Sequence, residues 1–162
     1  MDDFILARVL HVAGVVLWIG GVAMVTLVLL PALKSKTSPA EAMVFFNGFR
    51  RRFAAQARYT TLLVGLSGLY MTYLLDAWHR FTQWQYWWMH TMLLIWLLFT
   101  YMLFINEPRS RKRSQSASPQ DVTAQTFDSI QRKHMVLLVL SLITIAGAVA
   151  GSHGWLISGD SL

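Results

Sequence analysis

FILARVLHVAGVVLWIGGVAMVTLVLLPAL, residues 4–33, carries a single charge, Arg8, and its reading decides the fold class. A hydrocarbon layer of roughly 30 Å takes about 20 apolar residues as a helix. Helix is also the form that satisfies every backbone group inside one segment. Three further stretches have the same character: 54–75, 84–105 and 135–157. A chain of 162 residues that is 55% hydrophobic and 14% charged is one domain long and too apolar for an ordinary soluble protein. The expectation is an all-α integral membrane four-helix bundle running up-down-up-down, a single domain over residues 1–162. The start Met1-Asp2-Asp3 is acidic and the apolar run behind it is long. Cleaved signal peptides have a basic start and a short apolar region, so residues 4–33 are read as a permanent span.

Charge placement gives an orientation, because Lys and Arg in short loops stay on the cytoplasmic side. Of the 14 cations, Lys34, Lys36, Arg50, Arg51, Arg52 and Arg58 fall within residues 31–58. Arg109, Arg111, Lys112, Arg113, Arg132 and Lys133 fall within 106–133, and only Arg8 and Arg80 lie elsewhere. Both long connections are therefore expected in the cytoplasm, with the termini and the 76–83 loop outside. Trp78, Trp84, Trp87, Trp88 and Trp155 then sit near the outer ends of spans, where indole rings favour the headgroup layer. The basic clusters account for the net charge of +6 without nucleic acid, since they would rest against anionic inner-leaflet lipid. With no cysteine, disulfides, thiolate metal sites, iron–sulfur clusters and covalent c-type haem are excluded.

The two cytoplasmic connections share a signal. Ser38-Pro39-Ala40-Glu41 and Ser118-Pro119-Gln120-Asp121 each place a capping Ser, a Pro and an acid three residues after the cap, which starts a helix. Each is expected to begin a cytoplasmic extension of the next span, after a flexible Ser- and Arg-rich linker around 106–120 in the second case. The signals are 80 residues apart, and His11 and His90 are 79 apart. The chain thus reads as a duplicated helical hairpin whose halves are parallel repeats about the membrane normal.

In that register His11 and His90 are symmetry mates, each roughly 10 Å below the outer surface at 1.5 Å per residue. Packing of neighbouring helices at 8–10 Å puts the diagonal pair roughly 12–14 Å apart, a span suited to two imidazoles ligating the iron of a flat macrocycle. Arg8, one turn further out on the same face, is placed to meet a propionate. His153, near the outer end of the fourth span, and His79, in the outer loop, complete the metal candidates. His134 follows Gln131-Arg132-Lys133 and is read as interfacial. The plainer roles are a buried His bonding between helices, a snorkelling Arg8 and packing for the scattered methionines. Gly14, Gly20, Gly21, Gly65, Gly68, Gly147 and Gly151 are read first as close-packing faces and second as clearance for a cofactor.

The run from His11 through Trp18-Ile19-Gly20-Gly21 to Leu30-Pro31-Ala32-Leu33 resembles the first span of the copper-resistance protein D superfamily. Arg52-Phe53 and Leu66-Ser67-Gly68-Leu69-Tyr70 resemble its second span. Trp87-Trp88-Met89-His90 is similar to the start of the third span in HemJ-type protoporphyrinogen oxidases, which are four-helix haem b proteins. The likeness covers about the first 105 residues. Where the HemJ-type span carries a lysine about two residues past its histidine, this chain has Met92, so the oxidase activity is not carried over. The resemblance implies a small metal- or haem-handling module of the bacterial cytoplasmic membrane with periplasmic termini, and gives His11 the place of the superfamily's first-span histidine.

The functional expectation is a haem b protein with His11 and His90 as axial ligands. It would move single electrons between the quinone pool and a periplasmic redox partner, since bis-His ligation fills both axial positions. The alternative is a copper-binding or copper-uptake protein using His11, His90, His153 and His79, with Met89 or Met92 as soft ligands. Turnover of a substrate and assembly into a homo-oligomer are both left open.

Overall fold

A computed structural model describes residues 1–35, 38–109 and 124–154. Every element among them is helical: α1 (Asp2–Lys34), α2 (Pro39–Leu74), α3 (Trp87–Tyr101, continuing to Arg109) and α4 (Ala124–Ser152). Short 3-10 turns, Ala77–Thr82 and Trp84–Tyr86, join α2 to α3. Three helices are long and apolar enough to cross a membrane: Asp2–Lys34, Trp84–Arg109 and Gln125–Ser152. The helix carrying the expected 54–75 span is ample at 36 residues. It falls short in apolarity, because Arg58, Thr60, Thr61, Ser67 and Thr72 interrupt it.

The start of α2 follows the sequence reading. Ser38 Oγ accepts from the Glu41 backbone N–H at 3.4 Å, with Pro39 in the first turn, so one of the helix's orphan N–H groups is satisfied. The matching Ser118 signal, Trp155 and Ile157 lie outside the described residues. Two boundaries differ from expectation. The α-helical part of the third span begins at Trp87, since Trp84–Tyr86 is a 3-10 turn. The fourth helix ends at Ser152, where Gly154 takes the left-handed conformation (φ 84°) that closes helices.

Neighbouring helices pair in reverse order. Positions on α1 meet α2 as Gly21 with Phe53, Gly14 with Val64 and His11 with Gly68. Between α2 and α3, Trp96 Nε1 donates to Thr61 O at 2.8 Å and Arg58 reaches Leu103 O. Toward α4, Gln131 reaches Thr26 O and Lys34 pairs with Asp128. One core joins Trp18, Ile19, Val22, Val64, Ile95, Phe99, Leu137 and Leu138. A second core, at the end of the fold that carries Pro31, joins Val25, Leu30, Leu33, Ala42, Phe46 and Phe127.

Two helices contain a π turn, and the two turns match. Val25–Leu29 precedes Pro31, and Met102–Asn106 precedes Pro108, each feature 77 residues after its counterpart. In each, the backbone N–H just past the turn bonds five residues back, Leu30 to Val25 O and Glu107 to Met102 O. The next bond of that series would need an N–H from Pro31 or Pro108, and proline has none. Thr26 O and Leu103 O are thereby orphaned, and side chains take over: Gln131 Nε2 at 3.4 Å and Arg58 Nε at 3.1 Å.

Candidate functional site

The 77–86 turns, the first turns of α3 and the nearby part of the α1–α2 contact hold most of the histidines. His11 lies on α1, half-buried against α2. Its Nδ1 is 3.0 Å from Val64 O and 3.2 Å from Ser67 Oγ, and the Ser67 hydroxyl itself donates to Leu63 O at 2.6 Å. A carbonyl only accepts, so Nδ1 carries the proton and the neutral ring holds its lone pair on Nε2. Nε2 has no hydrogen-bond partner among the described residues. The ring lies over Gly68, where an added Cβ would stand 3.1 Å from Cε1. A side chain there would press the imidazole back by a few tenths of an ångström.

His90 is held differently. It is the fourth residue of the α-helix that starts at Trp87, closer to its helix start than the sequence reading placed it. Nε2 is 2.9 Å from Phe81 O and Nδ1 is 3.2 Å from Tyr86 O. The Phe81 and Trp84 rings flank it at centroid distances of 6.0 and 6.3 Å. A neutral imidazole donates through one nitrogen only, so the shorter contact, Nε2–H to Phe81 O, is the hydrogen bond. His90 therefore secures the turns between α2 and α3.

The remaining candidates lie at the surface. Arg8 is exposed one turn before His11. His79 is exposed in the 3-10 turn, with Nδ1 3.1 Å from Asp76 O. His153 is exposed in the turn after α4 and bonds back to Val149 O at 2.8 Å. Half-buried His134 bonds to Ile130 O. Among the described residues no three His, Cys, Asp or Glu side chains gather as a metal-holding group.

The glycines receive side chains, most of them aromatic. A Cβ on Gly65 would meet Trp96 at 2.4 Å, on Gly147 Trp87 at 2.4 Å, on Gly151 Trp88 at 2.4 Å and on Gly21 Phe53 at 2.3 Å. Gly14 would meet Val64 at 2.8 Å, while Gly20 has open space. Close packing, the first of the two roles read from the sequence, is what these positions do, Gly20 excepted. Trp87 and Trp88 consequently turn into the bundle, although both were expected in an interfacial belt. Trp78 and Trp84 remain exposed.

Sequence reasoning missed a set of polar groups along the interior. Thr60, Thr61, Ser67, Thr72, Ser141 and Thr144 are buried, and Arg58 forms a part-buried ion pair with Glu107 at 2.9 Å. They lower the apolarity of α2, but composition alone does not tell which face of a helix they occupy, and most of them bond to their own helix. No family model, curated protein or solved structure matches the chain.

Proposed function

We propose that this chain is a four-helix integral membrane protein, built as a duplicated hairpin with both termini outside, that binds haem b through His11. The observation that carries the reading is the His11 ring. Metal-ligating histidines almost always donate their second ring N–H to a carbonyl or similar acceptor, which fixes the tautomer and orients the ligating nitrogen. With Nδ1 on Val64 O and Ser67 Oγ, Nε2 of His11 is prepared in that way. An ionisable group within a membrane span is also costly and tends to be functional.

The span that joins the three apolar helices to make four is α2. Its hydroxyls face inward and are largely satisfied by its own carbonyls. Leu62, Leu66, Leu69 and Tyr73 form an exposed apolar stripe suited to lipid. The matching π turns and their side-chain caps support the duplication, and the count of cations favours a cytoplasmic Pro31 end.

The donor chemistry fits haem at His11. At His90 it would fit only once Nε2 leaves the Phe81 carbonyl, so His90 would help hold the group only with a rearrangement of the 77–86 turns. Haem held by two imidazoles supplies one-electron transfer, here between membrane quinone and an external carrier. This chain's residues contribute a fixed imidazole, a low-dielectric surround and, in Arg8, an exposed cation near the outer surface. The copper alternative draws on His11, His90, His153 and His79, and no observation favours it. The test is the absorption spectrum of the purified protein after expression with ample haem. A Soret band and a sharp reduced α-band are expected, both lost in His11→Ala. A colourless protein with tightly held copper ends the haem reading.

A further inference from the structure

Three polar atoms are buried in the middle of the fold without a hydrogen-bond partner among the described residues: Trp18 Nε1, Thr61 Oγ1 and Thr100 Oγ1. Trp18 is 4% exposed and Thr61 0%. They belong to three helices, and the surrounding contacts set them within about one helical turn of one another in height. Thr100 lies on α3 between Trp96, which donates to Thr61 O, and Leu103, which accepts from Arg58. It therefore faces the stretch of α2 from Arg58 to Thr61, on the same side of α3 as Trp96 one turn away. Trp18 lies on α1 between Gly14, which meets Thr60 and Val64, and Gly21, which meets Phe53. Its ring packs edge-on against Phe99, the residue before Thr100, with centroids 4.9 Å apart.

Other buried hydroxyls behave differently. Those of Thr26, Thr60, Ser67, Thr72, Ser141 and Thr144 all donate to a carbonyl three or four residues back. The Thr61 and Thr100 hydroxyls do not. A buried polar group left unpaired costs its full desolvation, so two hydroxyls and an indole N–H lacking partners within about one turn of one another call for a polar partner, and one molecule can serve all three. One donor-only group and two groups that both donate and accept are the complement of a single water, which typically makes about three hydrogen bonds when buried.

We propose that Trp18 Nε1, Thr61 Oγ1 and Thr100 Oγ1 form a binding site for a buried water at the junction of α1, α2 and α3. The site stands independently of His11 and of any cofactor. It adds a polar station between the His11–Ser67 level and the Arg58–Glu107 pair, and it ties three helices through one molecule.

The sign of an isosteric substitution tests it. Thr61→Val, Thr100→Val and the double variant are compared with the parent by apparent melting temperature of the full chain in detergent. With a shared water, each single variant melts lower by about 2–4 °C. The double variant then loses less than the sum, because the first substitution has already opened the site. If the hydroxyls are unpaired, valine raises the melting temperature; if each bonds alone within its own helix, the effects add. Either result overturns the proposal. A second measurement needs no folded variant of Thr61 or Thr100: magnetisation transfer from water to the Trp18 indole proton, assigned with Trp18→Phe. Transfer is expected in the parent protein, and its absence overturns the site.

Discussion

Gly65→Ala puts a methyl group where Trp96 Cε2 and Cζ2 stand 2.4 Å away and Nε1 2.5 Å away. Restoring ordinary contact means moving a rigid indole by about 1 Å, and the ring is tethered, since Nε1 donates to Thr61 O at 2.8 Å. Overpacking of this kind costs about 1–3 kcal/mol, and loss of the hydrogen bond adds about 1 kcal/mol. The better helix propensity of alanine returns up to about 1 kcal/mol. The net effect is a destabilisation of about 1–3 kcal/mol, or a melting temperature lower by about 4–8 °C for a 2 kcal/mol loss in a chain of this size. Gly20→Ala is the internal control: nothing lies within 4 Å of its added Cβ, so only the propensity gain remains and the temperature is unchanged or raised. Thermal unfolding in one detergent, followed by circular dichroism, compares the two. Equal shifts of the same sign in both variants would refute ring-on-glycine packing as the reason these residues are small.

His11→Ala is expected to remove the haem absorbance altogether, whereas His153→Ala, at an exposed ring bonded to its own helix, leaves it in place; loss in both or neither contradicts the assignment of His11. Orientation can be read with single cysteines, because the chain has none of its own. In intact cells a membrane-impermeant thiol reagent should label Thr82→Cys and reach Ser35→Cys only after permeabilisation. The reverse pattern inverts the topology.

Helix existence was legible because span length is a composition signal that local geometry does not disturb. The start of α2 was legible because Ser38, Pro39 and Glu41 form a cap that acts locally. The start of the third helix was not. Trp84, Gln85 and Tyr86 suit an interfacial helix by composition, yet their backbone is a 3-10 turn in which Tyr86 N–H donates to Gln83 O, and Gln83 N–H in turn donates to Arg80 O of the turn before it. The setting of His90 was hidden for the same reason, since Phe81 O is a backbone group contributed by that turn. The setting of His11 was partly legible. Its place along α1 follows from counting along the apolar run, but the hydrogen bond to Val64 depends on the register between α1 and α2, which no local pattern states.

Two registers compete to relate the halves. The Ser-Pro signals and the histidines suggest 79–80 residues, while the π turns, the prolines and the capped carbonyls agree on 77. Each residue turns a helix by about 100°, so a two-residue difference moves a side chain to nearly the opposite face, and the registers cannot both hold along one helix. Near the prolines the 77-residue register prevails, because each proline orphans the carbonyl five residues back. Carried back to the other end, it matches His11 with Trp88, and both rings do lie over a glycine of the next helix, Gly68 and Gly151. The cause assigned to the caps can be tested at Pro108. Arg58→Met alone strips Leu103 O of its donor and Glu107 of its ion partner, and costs about 1–3 kcal/mol. In a Pro108→Ala background the new backbone N–H can bond Leu103 O, so the same Arg58→Met substitution should cost less, leaving the Glu107 contribution alone. A double-mutant cycle on chemical or thermal unfolding measures the difference. Additive costs at Pro108 and Arg58 would mean that the arginine serves the ion pair only, and that the proline does not set the place of the cap.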